Sequence, residues 1–160
     1  MIRKAQITDA EAITRIYNYY IAKTAITFET EEVSVEEMAR RISEISAVGP
    51  YFVYEDEGQI LGYCYAHPWK QRAAYAATFE TTVYLNHEQK ERGIGTALMQ
   101  QLIDDCRNRG VHVLIACITE GNEASFSFHC KLGFSPVSRF KEVGRKFNKW
   151  LDVIDYEMIL

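Results

Sequence analysis

Apolar residues recur along this chain with two spacings, every three to four positions and every second position, and the switches between them mark the elements. Near the N-terminus "KAQIT" reads as a short strand. "TDAE" follows as a capping box of Thr8 and Glu11, and Ile13, Ile16, Tyr17, Tyr20 and Ile21 then share one helical face. A second box, "SVEE" from Ser34 to Glu37, opens a helix with Met38, Ile42 and Ile45 inward, and Gly49-Pro50 stops it. "YFVYE" and "ILGYCYA" flank "DEGQ", a hairpin signal with Gly58 at the turn. After the loop "HPWKQR", the stretch "AATFETTVYL" is rich in threonine, valine and aromatics, as strands are. "ERGIGTALMQQLIDDCRNRG" returns to helical spacing: Ile94, Ala97, Leu98, Leu102 and Cys106 form a stripe, and Gly110 suits the C-terminal cap. "VHVLIACI" is continuously apolar, the pattern of a strand covered on both faces. "NEASFSFHCKLGF" reads as a short helix ending at Gly133, and strands from Ser135 to Glu142 and from Trp150 to Leu160 close the chain.

The order is strand, two helices, three strands, helix, strand, helix, two strands. It predicts an α/β (α+β) protein with a mixed, mostly antiparallel central sheet and helices on both faces. The unit from 78 to 118 should be a right-handed parallel crossover. With 160 residues, 48% hydrophobic and 25% charged, the chain fits one globular domain over 1–160. Apolar runs fall far short of the ~20 residues of a membrane span, and no apolar segment follows the basic start, so a cytoplasmic location away from membranes is expected. A net charge of −4 argues against nucleic acid as a partner. Cys64, Cys106, Cys117 and Cys130 show no paired spacing and read as core or near-core residues. His67, His87, His112 and His129 make no metal motif, so no metal site is expected.

The chemistry begins at Gly93 and Gly95, where a strand gives way to a helix. Glycines there permit positive φ and close approach, and the helix's first N–H groups lack internal partners. Such a turn suits phosphate or pyrophosphate, or serves the fold alone. It is neither a Walker A loop nor GxGxxG, because position 98 is Leu.

The stretch Lys90-Glu91-Arg92-Gly93-Ile94-Gly95 is followed by a strand, then Asn122, then a helix ending in "KLGF". This resembles the GCN5-related N-acetyltransferases (GNAT), with Lys90 where the family usually has Gln or Arg. "NYYIAKTAITFETE", "AHPWKQRAAYAATFETTVYL", "NEASFSFH" and "GRKFNKWLDV" are similar to the phosphinothricin and methionine sulfoximine (sulfone) acetyltransferases, over Ile2 to Glu157. The resemblance implies a GNAT fold and acetyl-CoA as co-substrate. Glu91, Arg92, Gly93, Ile94, Gly95 and Thr96 would hold its pyrophosphate. The backbone at Val83, Tyr84 and Leu85, freed by a splay or bulge, would take the pantetheine arm, with Asn122 and Ser125 as further contacts.

In that family the amine attacks directly. Glu80 would be the base, at a position where relatives carry a carboxylate, and it would need a raised pKa, a bridging water, or both. Whether it faces a cleft or solvent stays open in the sequence. His129 stands where many relatives have Tyr and would assist the departing thiolate; a helix histidine bonded to a neighbour is the alternative. Arg72 would grip the α-carboxylate of a small amino acid. Trp69, Ala73, Ala74 and Tyr75 beside it, with Phe28 and Glu29, would line the same pocket. "GRKFNKWLDV" and the aromatics from Tyr17 to Tyr20 suit a homodimer interface, common among relatives. Competing readings are a protein N-terminal or lysine acetyltransferase, and a non-catalytic acyl-CoA-binding module indifferent to Glu80.

Overall fold

In the computed structural model, which describes residues 1–89 and 93–160, the expected order of elements is found. They are β1 (Ile2–Lys4), α1 (Ala10–Lys23), α2 (Val35–Val48), β2 (Tyr51–Asp56), β3 (Gln59–Pro68), β4 (Thr78–Leu85), α3 (Ile94–Asn108), β5 (Val113–Thr119), α4 (Glu123–Leu132), β6 (Ser135–Lys146) and β7 (Lys149–Ile159). The strands make one seven-stranded sheet in the order β1-β2-β3-β4-β5-β7-β6. Every pairing is antiparallel except β4 with β5, which are parallel as expected of a strand–helix–strand unit.

Several local expectations change. β1 ends at Lys4, because Asp9 rather than Thr8 organises the entry to α1: its carboxylate accepts from the Gln6 N–H at 2.8 Å and from both Arg3 terminal nitrogens at 2.8 Å. Ala97 is exposed, and the buried stripe of α3 is carried instead by Ile94, Leu98, Met99, Leu102, Ile103 and Cys106. Ser34 does cap α2, its Oγ accepting from Glu37 N at 3.1 Å, while the Glu37 carboxylate turns to Arg40 and Arg41. β6 runs past Glu142 to Lys146; the expected end is a bulge, with Glu142 at φ 53° and the register shifting between Phe140 and Gly144. Phe147 (φ 49°) and Asn148 (φ 61°) make the turn into β7. Cys64 and Cys106 are buried, but Cys117 and Cys130 are exposed.

The two faces of the sheet have separate cores. α3 and α4 cover one, where Leu98, Met99 and Leu102 meet Cys64, Phe79, Leu114 and Ile118, with Phe126 and Phe128 of α4 alongside. α1 and α2 cover the other, where Ile13, Ile16, Met38 and Ile42 meet Tyr51, Val53 and Tyr63. Fully burying each such side chain stabilises the fold by about 1.5–3 kcal/mol. Among the described residues no helix is long and apolar enough to cross a membrane.

Candidate active site

The parallel pair β4–β5 is joined only at Thr78, Phe79 and Glu80, whereas β4 stays paired with β3 as far as Leu85. Past Glu80 the two parallel strands part. Thr81 occupies the first place beyond the ladder, its Oγ1 donating to Ile115 O at 3.3 Å. Asn86 N donates to Leu61 O on the β3 side. Alternation then turns the main-chain groups of Val83 and Leu85 toward the gap and those of Tyr84 toward β3. Leu85 O takes the Tyr20 hydroxyl at 2.6 Å. The N–H groups of Val83 and Leu85 therefore face the opening between the strands.

The first turn of α3 abuts this gap. Gly93 is its N-cap in the left-handed region, φ 69°, and no acidic side chain stands in its first turn. A Cβ added to Gly95 would come within 3.4 Å of Leu85 Cδ1 and of the Phe128 ring, so helix, strand end and α4 converge at this glycine. Ile94 is buried and Thr96 exposed beside it. Glu91 and Arg92, with Lys90, lie outside the described residues. A group carrying an extended polar arm and a pyrophosphate fits these features: outward N–H groups on β4 and a glycine-lined helix start whose described first turn holds no acid.

The α4 residues take positions close by. Asn122 caps the helix, its Oδ1 accepting from Ser125 N at 3.3 Å. His129 is 5% exposed, sits edge-on between the rings of Phe128 and Phe134, and places Nδ1 2.9 Å from Ser125 O and 3.2 Å from Ser125 Oγ. A carbonyl only accepts, so Nδ1 carries the proton and Nε2 is left with a lone pair. Burial lowers the ring's pKa against the lift from the Ser125 carbonyl, which keeps it neutral. Nδ1 is thus bonded within the helix, an arrangement compatible with either reading of His129 in the sequence.

The register settles which way Glu80 points. It lies opposite His67, as Thr82 lies opposite Tyr65 and Tyr84 opposite Tyr63, so it faces the side of α1 and α2. Burial raises its pKa, and Asp155 adds to the rise; His67 and a hydrogen bond from Cys117 oppose it. His67, Cys117 and Asp155 were not found from sequence as neighbours of Glu80, because only the pairing of β3, β5 and β7 brings them there. Cys117 lies one pleat beyond Ile115, the register partner of Glu80, and opposite Asp155.

The remaining candidates form a rim. The segment 24–34 is tied to the far end of the sheet: Lys146 Nζ donates to Thr27 O at 2.8 Å, and Phe28 lies over Gly144. Glu29 is paired at both oxygens with Arg41 of α2, 2.7 and 2.9 Å, which holds its carboxyl below the usual range. Tyr17 Oη is 2.8 Å from Thr27 Oγ1. In the loop before β4, Trp69 and Tyr75 meet edge to face at 5.5 Å, with Lys70 Nζ 4.0 Å from the Trp69 ring centre. Arg72, exposed, precedes the 3₁₀ turn Ala73–Tyr75, and its side chain makes no hydrogen bond or ion pair with the described residues. Ala73 and Ala74 are exposed in that turn. The structure thus brings Glu80, Thr27, Glu29 and Tyr17 to one face, and leaves Arg72 on the loop that leads into it. Among the described residues no group of His, Cys, Asp and Glu could hold a metal ion.

Comparison with known proteins agrees with this geometry. The model of the acetyltransferase (GNAT) domain matches residues 2–154. The chain is 36% identical to a phosphinothricin N-acetyltransferase of Streptomyces coelicolor over 98% of this chain and 94% of that protein. It is 33% identical to an L-methionine sulfoximine/L-methionine sulfone acetyltransferase of Pseudomonas paraeruginosa over 95% and 90%. Among solved structures, a ribosomal-protein-alanine N-acetyltransferase from Brucella melitensis superimposes with a TM-score of 0.97 at 34% identity, covering 100% and 99% of the two chains. A phosphinothricin acetyltransferase from Sinorhizobium meliloti in complex with acetyl-CoA gives 0.96 at 34% identity, covering 100% and 88%. Family model, curated relatives and solved structures agree over nearly the full length, and the chain belongs to the GNAT acetyltransferases.

Proposed function

We propose that this N-acetyltransferase moves the acetyl group of acetyl-CoA to the α-amine of a small amino acid or analogue, of the methionine sulfone, methionine sulfoximine or phosphinothricin type. The carrying observation is Glu80: a half-buried carboxylate of raised proton affinity, placed where β4 leaves β5. Acetyl-CoA supplies an activated thioester. Glu80 takes a proton from the incoming ammonium, directly or through one water, because an unperturbed carboxylate is too weak a base for that task. The N–H groups of Val83 and Leu85 bind the arm and polarise the carbonyl, while Gly93, Ile94, Gly95, Thr96 and the undescribed Glu91 and Arg92 hold the pyrophosphate. Arg72 takes the substrate carboxylate, with Trp69, Tyr75 and Phe28 around the side chain. His129, neutral and donating to Ser125, positions α4. A thiol has a pKa near ~8.5, so the thiolate leaves and is protonated by water without a dedicated acid.

The finer statement about assembly rests on the surface. β6 is an edge strand of 12 residues, and Val137, Phe140, Val143, Phe147 and Trp150 around it are each at least 50% exposed. An unpaired edge carrying that much apolar surface fits a second copy of this chain, so a homodimer is proposed. Light scattering coupled to gel filtration reads the assembly directly.

Turnover is tested by thiol release from acetyl-CoA with methionine sulfone, methionine sulfoximine, phosphinothricin, ordinary amino acids and a peptide with N-terminal alanine. Release confined to the small amino acids, and reduced about 10²–10⁴-fold by Glu80→Gln with acetyl-CoA binding intact, is the expected result. Activity only on the peptide, or an unimpaired Glu80→Gln, overturns it.

A further inference from the structure

Asp155 has no place in the chemistry just described, yet it stands beside it. It lies on β7, opposite Cys117 of β5 and Ser138 of β6, and is 9% exposed. Among the described residues no cation pairs with it. The cations of α2 and of the β6 end, Arg41 and Lys146, are engaged by Glu29 and Glu37 and by Thr27 O. Its neighbours are Cys117, which lies opposite it on β5 and one pleat beyond the register partner of Glu80, and Ser138, whose Oγ is buried with no partner among the described residues. Burying an uncompensated carboxylate is costly, and a second carboxylate on the same face of the sheet, with β5 between them, adds to that cost.

We propose that Asp155 is a positioning residue for acetyl transfer, acting with Glu80 across the Cys117 thiol as a two-carboxylate acceptor for the proton that the substrate ammonium loses. The proposal rests on the N-acetyltransferase reading above. Two like charges so placed bind one proton more firmly than either alone, and they draw a cation to the site. As the ammonium enters, its N–H bond breaks and the proton passes to Glu80 on the face that it shares with Asp155. The freed lone pair forms the C–N bond with the thioester carbonyl, the C–S bond breaks, and the sulfur leaves with the electron pair. The second proton of the nitrogen passes through solvent to that sulfur. Cys117 stays a thiol throughout, because both carboxylates and burial push its own pKa up. It serves as a donor, never as a nucleophile.

The groups facing Glu80 are His67 and Tyr65 on β3, Cys117 on β5 and Asp155 on β7; beyond Tyr65 lie Tyr17 of α1 and the Glu29–Arg41 pair. Two substitutions among them push Glu80 in opposite directions. Asp155→Asn removes the like charge and lets Glu80 release its proton more readily. Cys117→Ala removes a donor to the charged form and makes Glu80 hold its proton more firmly.

The test follows kcat/KM for methionine sulfone against pH at saturating acetyl-CoA in wild type and both variants. Alongside it, the Glu80 side-chain carboxyl carbon is titrated by NMR without acetyl-CoA. The acidic limb and the Glu80 titration should move to lower pH in Asp155→Asn and to higher pH in Cys117→Ala. A merely structural aspartate would lower stability and leave both curves in place. A Glu80 titration unmoved in both variants overturns the proposal even where turnover is normal. A wild type that binds acetyl-CoA but acetylates no amino acid overturns the functional reading on which it rests. Should Asp155→Asn fail to fold, the Cys117→Ala shift decides alone, and its absence is again a refutation.

Discussion

Replacing Gly144 with alanine isolates the clamp that holds the 24–34 segment over the Glu80 face of the sheet. A Cβ at this position would lie 2.0 Å from Phe28 Cε2, 2.5 Å from Cζ and 2.6 Å from Cδ2. All three atoms belong to a ring at the far end of a side chain that is 36% exposed, so the ring yields rather than the strand. Losing the buried two-thirds of a phenylalanine costs about 1–2 kcal/mol, offset slightly because alanine suits a strand better than glycine. For a chain of this length that is a Tm roughly 2–8 °C lower. The functional effect should exceed the structural one: with Phe28 displaced, KM for the amino acid rises while KM for acetyl-CoA, whose proposed contacts lie on β4 and the start of α3, stays put. Thermal unfolding by circular dichroism and a steady-state matrix in both substrates measure the two. A Tm drop beyond ~10 °C would mean that β6 itself deforms. An unchanged amino-acid KM would mean that Phe28 is no part of the pocket. Either result refutes the reasoning.

Gly93→Ala forces an alanine to φ 69°, a strain of about 1–2 kcal/mol with no steric clash, and should weaken acetyl-CoA binding measured by calorimetry while the amino-acid KM is spared. His129 has its folded pKa below the unfolded 6.5, so the unfolded state binds the extra proton and stability falls as pH drops from 6.5 toward the folded value. In urea melts at stepped pH, His129→Leu should lose that part of the slope; an identical slope in both proteins counts against it. Asp9 adds a separate loss below 3.8, because the Arg3 and Gln6 hydrogen bonds outweigh its desolvation, and Arg3→Met should remove most of it. Cys117 is reached by solvent at its edge, yet Cys130 should react with iodoacetamide at neutral pH well before it, because partial desolvation and then Glu80 and Asp155 disfavour the Cys117 thiolate. Peptide mapping showing equal labelling would contradict the placement of Cys117 between two carboxylates.

The features legible in the sequence are the ones written locally. Ser34 and Glu37 announced α2, Gly58 the β2–β3 turn, Gly133 the end of α4, and periodicity separated strands from helices. The errors were also local, where one side chain outcompeted another. Asp9, braced by Arg3 from a strand six residues away, displaced Thr8; Glu142 looked like a strand end because a bulge and an end share their residues. The site was half legible. Glu80 and the glycine turn stand in recognisable motifs, but the face Glu80 occupies follows from its pairing with His67 on β3. Asp155 reaches it through Cys117, 38 positions earlier in the chain, by the β5–β7 pairing. No pattern within one strand records which strand lies beside it.

The parting of β4 from β5 also carries a thermodynamic sign. Each main-chain rung left unmade there forgoes roughly 1 kcal/mol that a closed sheet would have kept. The Thr81 hydroxyl donates to Ile115 O at the point where the strands part. Sequence changes that let the ladder run on would yield a sturdier protein with the proposed cofactor groove closed, so a screen for heat resistance alone would select against that opening.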